Sequence, residues 1–181
     1  DPLQWEVKGR ISQIKKIDSK HIFLGNGSDE VIDLLIRIFC EPREDHIIIL
    51  PPTYGMYKVS AGIADVALKA ISLTPDFQPD VDAILAQSNP QSKLLFLCTP
   101  NNPTGNSFDT NLVEKLCQNF QGIVVIDEAY IDFSAQASFT NMLEKYPNLV
   151  VMQTFSKAWG LAGIRLGMAF ASEEIIGLLN K

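Results

Sequence analysis

The sequence predicts an α/β domain in three layers, an αβα sandwich with a mostly parallel sheet of seven strands between helical layers. Two observations predict it. Seven short apolar, mostly β-branched segments recur along the chain, separated by amphipathic segments of helical period. The apolar segments are nearly continuous rather than alternating, as in strands buried on both faces, and such strands need helical cover on each side.

The elements follow in order. "DPLQWEVKGRISQIKK" reads as a helix from its first residues, with Leu3, Val7, Ile11 and Ile14 at helical spacing. "HIFLG", from His21, is the first strand, and "SDEVIDLLIRIFC" is an amphipathic helix in which Ser28 and Asp29 can cap. The strands "HIIIL" (46–50) and "VALKAISL" (66–73) come next, then the helix "VDAILAQS". "KLLFLC" (93–98), the helix "TNLVEKLCQNF", "GIVVID" (122–127), "LVVMQTF" (149–155) and "LGMAFA" (166–171) continue the alternation, and "SEEIIGLLNK" is the last helix. No repeat, low-complexity segment or linker interrupts them, so the 181 residues read as one domain.

Composition narrows the function classes. The chain is 46% hydrophobic and 20% charged, enough for a real core. Its net charge of -6, with no basic run, argues against a nucleic-acid footprint or a polybasic membrane surface. Cys40, Cys98 and Cys117 lack metal-ligand spacing, so no metal site is expected, and Cys40 and Cys98 read as small core residues in a reducing compartment. No stretch has the length and purity of a spanning helix, and the acidic start does not read as a signal peptide; the expected location is cytoplasmic.

In parallel sheets, ligands bind beyond the carboxyl ends of the strands. Five exits there are polar or glycine-rich, more than turn-making requires: "GNGSDE", "PPTYGMY", "TPNNPTGN", "DEAYIDF" and "SKAWGLAGIR". "GNGSDE" opens a helix, and free N–H groups at a helix start favour an anion, although an ordinary capped helix would look the same. Tyr54 can lay its ring on a planar ligand, or, like Tyr57, be a core aromatic. Asn102 sits in a tight turn and has an amide to donate. Asp127 follows a wholly apolar strand, and a buried carboxylate needs a cation or several donors; Tyr130 is close enough to share its ligand. Lys157 and Arg165 place two cations among glycines at the end of a core strand. A phosphate cradle, a stacking ring, an amide, a phenol, a carboxylate and a lysine amine together describe a pyridoxal phosphate site.

On these residues the chain resembles the large domain of the fold-type I pyridoxal-phosphate aminotransferases. "NNPTG" and "SK" with "GIRLG" are shared across that superfamily, whereas "PPTYGMY" with "DEAYIDF" is similar to its histidinol-phosphate branch. Trp159-Gly160 stands where the family tolerates several residues. By motif, Lys157 resembles the lysine that bonds the cofactor aldehyde, Asp127 the partner of the pyridine nitrogen and Tyr54 the stacking ring. Asn102 and Tyr130 resemble the binders of the ring hydroxyl oxygen, and Gly27, Ser28, Asp29, Ser156 and Arg165 the phosphate anchors. The resemblance implies that the last strand runs antiparallel to the rest.

It also implies a homodimeric parent about twice this length, with an N-terminal arm and a C-terminal small domain; residues 1–181 then correspond to an excised cofactor-binding large domain. The implied reaction is reversible amino transfer between histidinol phosphate and 2-oxoglutarate, in histidine biosynthesis, with this segment alone expected to be nearly inactive. The rivals are an aromatic-amino-acid aminotransferase or a threonine-phosphate decarboxylase on the same scaffold, and a non-catalytic cofactor-binding module. A dinucleotide-binding domain ranks lower, because no fingerprint is followed by a ribose-binding acid.

Overall fold

The structure is a computed structural model describing residues 1–181. Its elements in chain order are α1 (Trp5–Lys15), β1 (Ile22–Asn26), α2 (Ser28–Phe39), β2 (His46–Ile49), α3 (Met56–Ile63), β3 (Ala67–Ala70), α4 (Val81–Gln87), β4 (Ser92–Cys98), α5 (Thr110–Asn119), β5 (Ile123–Asp127), β6 (Leu149–Thr154), β7 (Leu166–Phe170) and α6 (Glu173–Leu179). All seven expected strands form one sheet in the order β1-β7-β6-β5-β4-β2-β3. Only β7 is reversed: it pairs antiparallel with both β1 and β6, so β1 runs with the other strands.

The continuous apolar runs are explained by cover on both faces. In β5, Val124 and Ile126 join the cluster that receives Ile11 of α1, Ile84 of α4 and Leu116 of α5. Val125 joins the opposite cluster, with Ile32 and Leu35 of α2, Tyr57 of α3 and Ile176 of α6. Three helices start on side-chain caps: Asp80 accepts from the Ala83 N–H, Asp109 from Asn111 and Ser172 from Ile175.

Four local expectations are corrected. The first helix starts at Trp5, and Leu3, Val7 and Ile14 are exposed. Of that apolar set Ile11 alone is buried, and Lys8 is buried with it because its ammonium reaches Asn180 Oδ1 at 3.1 Å. α3 was not expected from "MYKVSAGI", which is short and contains a glycine and β-branched residues; packing of Tyr57 and Ala61 against the sheet holds it. β3 is half the anticipated length, since this edge strand pairs with β2 alone and β2 offers only four residues. The cap expected from Ser28 and Asp29 does not form: Ser28 is already helical, the cap position is Gly27, and no side chain caps it.

Candidate active site

The parallel strands end at one edge of the sheet, and the reversed β7 starts there. That reversal brings Arg165, the residue before β7, beside the exit of β1. Asn26 pairs with Leu166 and Gly25 with Gly167, and the Gly27 N–H donates to the Arg165 carbonyl at 2.8 Å. Arg165 is therefore at a strand entrance rather than the exit suggested by its sequence position. Its backbone takes φ 54°, and Gly27 takes φ 79°, ψ 168°, a region essentially restricted to glycine. The bare Gly27 Cα leaves room for the guanidinium: a Cβ there would lie 2.6 Å from Arg165 Nη2. An uncapped helix start and an arginine thus face one another, two attractors of the same anion.

A cavity of about 90 Å³ opens at this corner, lined by Gly27, Ser28, Asp29, Tyr54, Tyr130, Thr154, Ser156, Lys157 and Arg165. Ser156 is held at its rim by Thr154, whose Oγ1 accepts from the Ser156 N–H at 3.1 Å and lies 2.9 Å from the Ser156 hydroxyl. Lys157 comes three residues after β6; its ammonium stands 5.5 Å from the centre of the Tyr130 ring. Neither Lys157 nor Arg165 takes part in any of the five ion pairs of the chain. Two cations without carboxylate partners, lining one cavity, are poised for an external anion or electrophile. Also in the lining, the Tyr54 hydroxyl donates to Asp29 Oδ1 at 3.1 Å. Burial, then the Asp29 charge, pushes the Tyr54 phenol up to about 12, so it stays protonated.

Asp127 ends β5, on the face of the sheet that carries α2 and α3, and is only 2% exposed. Its Oδ2 accepts from the Tyr57 hydroxyl at 2.7 Å and its Oδ1 from the Ala129 N–H at 3.0 Å. Burial pushes this carboxyl above the usual range, while the bonds from Tyr57 and Ala129 pull it down; the Asp29 charge adds to the rise and Lys157 opposes it. Glu128 turns to the other side. It accepts from Ser138 Oγ (2.6 Å), Gln153 Nε2 (2.7 Å) and the Phe139 N–H (2.7 Å), and burial raises its carboxyl too.

The structure thus gathers eight of the expected residues around one cavity: Gly27, Ser28, Asp29, Tyr54, Tyr130, Ser156, Lys157 and Arg165. Asn102 lines an adjoining cavity of about 450 Å³ with Pro100, Phe133 and Ser134, and Tyr130 is the wall common to both. Asp127 lines neither and is reached from behind by Tyr57. Sequence reasoning placed Tyr57 in an exit motif without giving it a role, and missed Thr154. A buried carboxylate in need of donors was the available signal for Tyr57, but three other tyrosines competed for the part.

The model of the family "Aminotransferase class I and II" matches residues 5–181, and the chain belongs to that family, whose members depend on pyridoxal phosphate. Among curated relatives, the histidinol-phosphate aminotransferases of Cytophaga hutchinsonii and Parabacteroides distasonis are 58% and 56% identical over all 181 residues. The chain spans about half the length of these relatives, 52% of each. The solved histidinol-phosphate aminotransferase of Clostridium acetobutylicum superposes with a TM-score of 0.87 at 24% identity, over 98% of this chain and 53% of its own. The aspartate aminotransferase of Thermotoga maritima gives 0.86 at 21% identity, over 99% and 50%. These two likenesses establish the shared fold.

Proposed function

We propose that the chain is the cofactor-binding unit of an enzyme that transfers an amino group between histidinol phosphate and 2-oxoglutarate. The observation that carries the reading is the cavity on which Lys157 and Arg165 stand without ion-pair partners, at the open start of α2. The donor set fits pyridoxal phosphate. Arg165, Ser156 and the backbone at Gly27, Ser28 and Asp29 would hold the phosphate. Tyr54 would lie against the ring, Asn102 and Tyr130 would meet its hydroxyl oxygen, and Asp127 its nitrogen. Bound there, the cofactor would supply an aldehyde for amine exchange and a ring that withdraws electrons from the substrate's α carbon.

The chain's own residues do the rest. Lys157, the amine at the cavity, would accept the proton from the substrate's α carbon as a base and give it back as an acid. Asp127 would favour a positive charge on the ring nitrogen, which matters most when negative charge develops at that carbon. The identity of the amino donor rests on the curated relatives and their names. Exposed Trp5, Val7, Ile14 and Ile63 support a second subunit covering α1 and α3, as in a homodimer. No helix is long and apolar enough to cross a membrane. With the acidic balance, that favours a cytoplasmic enzyme whose partners are small molecules rather than nucleic acid.

Borohydride reduction of the chain with pyridoxal phosphate, followed by peptide mapping, tests the site. Label on Lys157 is expected, and label on Lys58 or Lys93 sinks the assignment. The substrate is tested on a protein of the relatives' full length, offered histidinol phosphate, aromatic amino acids and threonine phosphate with 2-oxoglutarate. Preferred turnover of an aromatic amino acid, or decarboxylation of threonine phosphate, would move the protein to a neighbouring branch.

A further inference from the structure

Tyr57 is the largest fully buried side chain of the molecule, yet it is not spent on packing alone. Its ring stacks on Phe96 of β4 (centroids 4.7 Å apart, planes 20° apart) and meets the Tyr54 ring edge-on at 5.6 Å. Its hydroxyl donates to Asp127 Oδ2 at 2.7 Å. One rigid side chain therefore touches both the ring proposed to stack on the cofactor and the carboxylate proposed to meet its nitrogen. A phenylalanine would fill the same space, so packing does not explain the hydroxyl.

We propose that Tyr57 is a positioning residue that fixes the Asp127 carboxylate in orientation and in its ionised state. This rests on the reading of Asp127 given above. Asp127 is the counter-charge that a protonated ring nitrogen needs; a carboxyl that picks up its own proton no longer provides it. Burial works against ionisation, and two donors oppose it: the Ala129 N–H, fixed by the backbone, and the Tyr57 hydroxyl, supplied by α3. A hydrogen bond to a charged group contributes more than one between neutral groups, and more still where water is excluded. The other groups facing Asp127 do not substitute. Asp29 of α2 repels it, the thiol of Cys98 on β4 is weak and pushed up to about 12, the Tyr54 hydroxyl is engaged by Asp29, and Lys157 acts through its charge without a bond. Glu128 points to the other side, into its own donors.

The test uses the cofactor-free chain. Aspartate ¹³Cγ resonances are followed against pH by NMR, with Asp127 assigned by its disappearance in Asp127→Asn. In Tyr57→Phe the midpoint of Asp127 should rise by about one pH unit, the shift expected for loss of one charged hydrogen bond. Phe96→Leu removes the ring stack but not the bond, and should leave the midpoint in place. No rise in Tyr57→Phe, or an equal rise in Phe96→Leu, overturns the proposal. Wild type gives a measurement independent of either variant's folding: the Tyr57 ¹³Cζ resonance should shift with the Asp127 midpoint, and a resonance that ignores it also overturns the proposal. Pyridoxal phosphate is absent throughout, so failure to label Lys157 would sink the functional reading without deciding the role of Tyr57.

Discussion

Gly167 and Gly27 pack main chain against main chain: a Cβ on Gly167 would overlap the Gly27 carbonyl carbon and lie 2.5 Å from its oxygen. The contact lets β7 pass under the start of α2 and sets Arg165 over the cavity. Backbone has nowhere to retreat, so Gly167→Ala should destabilise the chain by about 1–3 kcal/mol, as overpacking does. Urea unfolding measures it; an unchanged midpoint would show that β7 and the start of α2 can part without cost.

Gly27→Ala meets a different obstacle. Its φ 79°, ψ 168° is a glycine conformation, and occupying it with alanine costs about 1–3 kcal/mol. The new Cβ also collides with the Arg165 guanidinium, a flexible group that can move aside. Pyridoxal phosphate affinity should therefore fall further than the fold weakens, and the comparison is a binding titration beside an unfolding curve. Equal affinity with intact folding would remove Arg165 from the phosphate site.

Asp127→Asn keeps the shape and removes the charge. In a protein of the relatives' full length, turnover should fall by about 100-fold or more, the scale for losing one electrostatic stabiliser, while cofactor affinity falls by about tenfold or less. Single-turnover kinetics separate the two, and a rate unchanged at cofactor saturation would refute the assigned role.

Tyr54 should act through its ring. Because its phenol is pushed up to about 12, cofactor affinity should show no step from this hydroxyl on the acid side of that value. Tyr54→Phe keeps the stacking face and should bind pyridoxal phosphate within about tenfold of wild type; Tyr54→Ala should lose about 0.5–1.5 kcal/mol more. Equal affinities for the Phe and Ala variants would exclude stacking.

Glu128 predicts a pH signature of stability. Burial raises its carboxyl above the ordinary 4.5, so the folded state holds a proton that the unfolded state releases. Its contribution is fully present below 4.5 and is lost as pH rises through the folded value. Wild type should thus gain stability relative to Glu128→Gln as pH falls from neutral toward 4.5. The variant's amide can also donate to Gln153 Oε1, a buried acceptor left without a partner. Urea midpoints of both proteins across that range give the difference, and parallel curves would mean Glu128 is ionised throughout.

The sequence by itself determined the strands and the edge at which the site is built. Ile47–Ile49, Leu94–Leu97 and Val124–Ile126 are apolar without alternation because both faces are covered, and that is written residue by residue. The turn chemistry of the glycines and prolines is equally local, so Lys157, Tyr54 and Ser156 could be placed at strand ends before any pairing was known. Only the tertiary structure decided what meets what. The reversal of β7 set Arg165 over Gly27, and the packing of α3, too short to announce itself, aimed Tyr57 at Asp127 across a separation of 70 residues. The apolar spacing of Leu3, Val7, Ile11 and Ile14 announced α1 as a helix but not which side the fold buries: Ile11 goes in with Lys8, to which the last helix offers a partner at Asn180. Periodicity and turn propensity act within a few residues. Partnership between buried polar groups depends on which elements the sheet order brings together, and no local pattern encodes it.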